Sequence, residues 1–124
     1  GTLPWSEGMV TFVNALFPGR FTYIKGNSQT VVPEYVAAIR AGKAPPCDLF
    51  FVDGDHSYAG SSLDFANAIK ASSPGGYLFV DDYTVNFKGV VRAWDELVSS
   101  GQVINHFKGP IDCVPPAPTS FKSL

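Results

Sequence analysis

The chain has 124 residues, 45% of them hydrophobic and 16% charged, with a formal net charge of −2. This is the length of a single domain with its own core, too apolar for a disordered chain and too weakly charged to attract nucleic acid or an acidic membrane surface. No apolar run reaches the roughly 20 residues of a membrane span, and "GTLPWSEG" at the start lacks the basic-then-apolar order of a signal peptide.

In chain order, Met9, Phe12, Val13, Leu16 and Phe17 share one face at helical spacing, and Pro18-Gly19 ends that helix. Arg20–Gly26 reads as a short strand. Ser28–Lys43 reads as a second helix, with Val32, Tyr35, Val36 and Ile39 inward and Pro33 near its first turn. After the loop Ala44–Pro46, Asp48–Val52 is nearly continuous apolar strand, the pattern of a strand covered on both faces. Ser57–Ser72 reads as a third helix with Leu63, Ala66 and Ile69 on its inner side. Pro74-Gly75-Gly76 then turns the chain into a strand at Tyr77–Val80.

The fourth helix is the clearest: Val90, Val91, Trp94, Leu97 and Val98 form one stripe, and Gly101 closes it. Gln102–Gly109 reads as a further strand, and the proline-rich tail from Pro110 as loop with an edge strand at Thr119–Leu124. Trp5 and Trp94 are read as core, and His106 as structural. Cys47 and Cys113 fit no metal spacing and read as reduced buried thiols, which leans to a reducing, cytoplasmic compartment. Strands alternating with helices imply βαβ crossovers and an open, mostly parallel α/β sheet in one domain over 1–124.

Two strands end in acid: "LFFVDGD" at Leu49–Asp55 and "YLFVDD" at Tyr77–Asp82. In open parallel sheets ligands bind at the carboxyl ends of strands. Neighbouring strands lie roughly 5 Å apart, so Asp53 and Asp81 converge there with Asp82 alongside. Carboxylates so close repel one another, and a hard divalent cation relieves that repulsion. The plain alternative is local: Asp55 or Ser57 caps the third helix, and Asp82 sits in a turn before Lys88. Two strands ending alike favour a shared site, and Gly54 gives the loop freedom to aim both of its flanking acids. His56 is a candidate general base, because imidazole changes charge near neutral pH.

The stretch "DLFFVDGDHSYAGSSLDFANAIKASSPGGYLFVDDYT", followed by "GVVRAWDEL", resembles the second half of class I S-adenosylmethionine-dependent methyltransferases, above all macrocin O-methyltransferase-like and other small-molecule O-methyltransferases. Upstream, "FPGRFTYIKGNS" resembles that family's third strand and the loop after it, so the likeness covers roughly residues 16–105. The resemblance implies a partial Rossmann-like fold and methyl transfer from S-adenosylmethionine to a small hydroxylated acceptor. By its motifs, Asp53, Asp81 and Asp82 correspond to ligands of a divalent metal (Mg²⁺, or Mn²⁺ or Ca²⁺), and Asp55 or His56 lies by the acceptor. Asn27 stands where relatives commonly carry an aspartate that holds adenine; Asn27, Ser28 and Asp53 are thus the expected cofactor contacts.

The family's glycine-rich turn after its first strand and the acid ending its second strand have no match in the 124 residues. From this the chain is expected to lack the first two strands, to be incomplete and inactive alone, and to self-associate through an open edge of strand Asp48–Val52. A catalytically dead methyltransferase-like binding module is the alternative. A receiver or phosphoryl-transfer hydrolase would want a lysine after a later strand, where only Lys108 offers itself.

Overall fold

The computed structural model describes residues 4–104 of the chain. Over these residues the order is α1 (Pro4–Leu16), α2 (Ser28–Arg40), β1 (Cys47–Val52), α3 (Tyr58–Ala71), β2 (Ser72–Val80) and α4 (Lys88–Ser99). The two strands pair in parallel, and α3 is the crossover between them. This is the βαβ unit that the alternation of strand and helix implied. No described helix is long and apolar enough to cross a membrane.

Local chemistry accounts for the helix ends. Asn27 caps α2, its side-chain oxygen accepting from the Gln29 N–H at 2.9 Å. At the other end Gly42 takes φ +69, while the Lys43 N–H reaches Ala38 O and the Gly42 N–H reaches Ile39 O. That pair of bonds is the Schellman arrangement, which needs a residue tolerant of the left-handed region. Pro33 lies in the second turn of α2, one turn later than its expected place, and the helix runs through it. Gly101 (φ +74) closes α4 as its position predicts.

The core lies between the sheet and the α3–α4 pair. Val52, Phe65, Ala68, Val90, Ala93 and Trp94 are buried there, with Phe50, Leu78 and Val80 packed against them. Phe65 and Trp94 meet edge-on, ring centres 5.6 Å apart, in the T-shaped geometry aromatic pairs favour. α2 packs on α3, and α1 packs against none of the other described elements.

Several expectations need correction. Arg20–Gly26 forms no strand. The inner face of α3 is Gly60, Ser61, Asp64, Phe65, Asn67, Ala68 and Ala71, whereas Leu63 is exposed. Two polar members of that face have partners which no hydropathy pattern reveals: Ser61 Oγ donates to Asp55 O at 2.8 Å, and Ser28 Oγ to Asp64 Oδ1 at 2.8 Å. The third, Asn67, leaves its buried Nδ2 without a hydrogen bond among the described residues. β1 is covered on one face only, since Leu49 and Phe51 lie exposed on the other. Most of the apolar face of α1 (Met9, Phe12, Leu16) and the following Phe17 are exposed as well. The Pro-Gly-Gly segment is no separate turn before β2 but an irregularity within it: Cys47 pairs with Ser72 and Leu49 with Tyr77. Gln102–Ile104 adopt no strand. The remainder of that element, the Thr119–Leu124 strand, His106, Lys108, Cys113 and the Trp5 side chain lie outside the described residues. Cys47 is a free, half-buried thiol.

Candidate functional site

Both acid-ended strands finish at the same end of the sheet. Val52 pairs with Val80, and the Asp81 N–H carries the ladder one step further by donating to Val52 O at 3.0 Å. The segment after β1 delivers Asp53, Gly54, Asp55 and His56, and the segment after β2 delivers Asp81 and Asp82. A small cleft at this point is lined by apolar Val52, Phe65, Val80 and Val90 and by the polar Asp53, His56 and Asp81.

Asp53, His56 and Asp82 each present a potential ligand atom, and the three atoms lie within 4.8 Å of one another. His56 Nε2 stands 2.9 Å from Asp82 Oδ2. Asp82 reaches it from a left-handed backbone conformation, φ 56, which Asp tolerates better than most residues. Asp81 is not part of the cluster: its carboxylate turns onto the neighbouring backbone and accepts from the Asp82 N–H at 2.8 Å. So two of the three acids expected to share a cation come together, and His56 joins them in place of the third.

Asp55 is spent on the local fold. Its Oδ1 accepts from the Ser57 N–H at 2.8 Å and its Oδ2 from the Ser57 hydroxyl at 2.9 Å. Ser57 Oγ in turn accepts from the Gly60 N–H, so Ser57 is the cap of α3 and Asp55 braces it. The Ser57 amide and hydroxyl hold the Asp55 carboxyl below the usual carboxylate range. Asn27 and Ser28 are also engaged: Asn27 caps α2, and Ser28 ties α2 to the buried Asp64.

Two residues that the sequence did not single out fix the place of His56. The Phe87 ring lies against the imidazole with centres 4.3 Å apart. Gly89, in the first turn of α4, passes so close to the His56–Tyr58 backbone that a Cβ there would sit 2.5 Å from His56 O. A glycine at the second position of an otherwise strong amphipathic helix was the available signal. Tyr58 and Arg92–Glu96 add a second link between α3 and α4, with the Tyr58 hydroxyl donating to Glu96 and the Arg92 guanidinium over the Tyr58 ring at 4.0 Å. The Tyr58 hydroxyl and Arg92 hold the Glu96 carboxyl below its ordinary range.

A parallel βαβ unit with carboxylates and an imidazole gathered at its carboxyl end is the layout of an α/β ligand-binding or catalytic domain. A family model described as a methyltransferase domain matches residues 5–83, which span α1 to the end of β2 and both acid-ended segments. The chain belongs to that methyltransferase-domain family. Comparison with curated proteins and with solved structures gives no match. Methyltransferase domains ordinarily take S-adenosylmethionine as methyl donor.

Proposed function

We propose that this chain carries the acceptor side of an S-adenosylmethionine-dependent, divalent-metal-dependent O-methyltransferase centre acting on a small hydroxylated compound. The observation that carries the reading is the meeting of Asp53, His56 and Asp82 at the joint end of two parallel strands. Two carboxylates are a donor pair suited to a hard divalent cation such as Mg²⁺ or Mn²⁺, with the imidazole beside them. Asp53 and Asp82 would hold the ion, with Asp81 beside them in the same cleft. Bound there, such an ion supplies a Lewis acid that lowers the pKa of an acceptor hydroxyl.

The chain's own part is proton handling and orientation. His56 donates its Nε2–H to Asp82 Oδ2, which fixes the tautomer and leaves the Nδ1 lone pair as base. S-adenosylmethionine, when bound, would supply an electrophilic methyl group, and His56 would take the proton that the acceptor hydroxyl gives up. Phe87 packs on the imidazole, and Gly89 lets α4 close on the backbone that carries it. On the donor side the chain offers little: Asn27 and Ser28 are engaged in the fold, and the sequence has no glycine-rich turn after a strand. The 124 residues alone therefore bind S-adenosylmethionine weakly and do not turn over.

The test is Mn²⁺ binding to the full chain followed by electron paramagnetic resonance. Asp82→Asn is expected to weaken binding by tenfold or more, and Asp53→Asn likewise. Equal affinities in wild type and both variants would reduce these acids to turn and cap residues. Tight S-adenosylmethionine binding by calorimetry would overturn the account of the donor side.

A further inference from the structure

Two apolar surfaces of this chain face no other described element. The first is the outer face of the sheet, where Leu49 stands beside Tyr77 and Phe51 beside Phe79, the Tyr77 and Phe79 rings 6.5 Å apart. The second is the stripe of α1, Met9, Phe12 and Leu16, continued by Phe17. These eight side chains are between 38% and 64% exposed. The charge at either surface is low: α1 carries one charged residue, Glu7, in its first turn.

We infer that the chain forms a dimer in which α1 of each copy lies on the outer sheet face of the other. A helix with an apolar stripe and an apolar two-strand face are complementary in shape and in polarity, and the chain presents both at once. α1 joins the rest of the molecule through α2, which packs on α3, the layer covering the opposite face of the sheet. Reciprocal exchange satisfies both surfaces with one two-fold axis and leaves no open-ended contact.

The area is of the right size. A large apolar or aromatic side chain carries about 150–250 Å² of surface, so eight of them at half exposure offer about 800 Å² per copy. Two copies then bury about 1,600 Å² in total, the size of a standard stable interface. The contact uses the face of the sheet, so the free edge of β1 and the Asp53–His56–Asp82 end remain outside it. This inference stands independently of the methyltransferase chemistry.

The experiment is sedimentation equilibrium on the full chain, with variants of each surface. Wild type is expected to sediment at twice the 13.3 kDa chain mass at tens of micromolar. Phe12→Asp with Leu16→Asp in α1, and separately Phe51→Asp on the sheet, are each expected to weaken dimerisation by a hundredfold or more. Mixing the two monomeric variants should restore a dimer-sized species, because one intact helix and one intact face remain in the mixture. The α1 variant alters no core residue, so it tests the idea even if Phe51→Asp does not fold. A wild type that stays monomeric at all concentrations, with α1 turned onto its own sheet or another segment covering that face, overturns the inference. So does a dimer that the α1 variant leaves intact.

Discussion

Replacing Gly89 by alanine tests how His56 is held. The new Cβ would lie 2.5 Å from His56 O, 2.6 Å from Tyr58 N and 2.9 Å from Ser57 C, all backbone atoms that cannot swing aside. Ordinary contacts begin at 3.4 Å, so α4 or the loop carrying His56 must retreat by nearly an ångström. Alanine gains at most about 1 kcal/mol over glycine in helix propensity, and less in a first turn. Overpacking against an unyielding neighbour costs about 1–3 kcal/mol. The clash therefore wins, and Gly89→Ala should lose about 1–2 kcal/mol, roughly a 5- to 30-fold fall in the folded-to-unfolded ratio. The same retreat loosens the His56–Asp82 contact of 2.9 Å, so Mn²⁺ affinity should fall about tenfold in parallel. Urea unfolding followed by circular dichroism reads the first effect and a Mn²⁺ titration the second. Gly8→Ala, where a Cβ meets nothing within 4 Å, is the matched control and should be neutral or slightly stabilising. A Gly89→Ala protein with wild-type urea midpoint and wild-type Mn²⁺ affinity would refute the view of α4 as the support of His56.

Two further outcomes follow from the packing and the charges. Phe65 is 1% exposed and touches Trp94 edge-on, so Phe65→Ala should cost about 3–5 kcal/mol, enough to unfold a domain of this size at moderate urea. Glu96 has a folded-state pKa below its ordinary value, because the Tyr58 hydroxyl and Arg92 stabilise its charge. Its contribution is thus complete above the unfolded-state value of about 4.3 and lost as pH falls through the lower folded value. Thermal melts from pH 6 to pH 2 should show a shallower acid decline in Glu96→Gln than in wild type; parallel curves would count against the Tyr58–Glu96–Arg92 link.

Much of the architecture could be read from residue order. α2, α3 and α4 stand where periodicity places them, because Asn27, Ser57, Gly42 and Gly101 are strong local stop and start signals. The parallel pairing of the two acid-ended strands was also legible, since a single helix separates them. What failed was orientation. Leu63 reads as core in α3, yet Asp64 takes the inner place because Ser28, 36 residues earlier, satisfies its carboxylate. Hydropathy treats Asp64 as a surface residue and has no means of seeing that partner. The same holds at the site. Asp53, His56 and Asp82 were on the page from their motifs, but the turning of Asp81 onto the Asp82 amide depends on one backbone angle that no motif encodes. Arg20–Gly26 reads as a short strand, but a strand needs a neighbour, and none of the described residues pairs with it.

The irregularity between the strands bears on how this unit can change in length. From the Cys47–Ser72 pair to the Leu49–Tyr77 pair, β1 advances two residues and β2 five. The surplus gathers around Gly75 (φ +77), tacked down by Ser73 Oγ on Asp48 Oδ1 at 2.7 Å. It sits at the end of the sheet away from the carboxylates. Insertions or deletions there can be absorbed in the slack, with Val52 still opposite Val80. A single deletion between Tyr77 and Val80 has the reverse consequence. If Phe79 is lost, every later side chain changes face: Val80 leaves the core, Asp81 moves into its place and Asp82 into that of Asp81. Variation in length is thus cheap at one end of this strand pair and ruinous at the other.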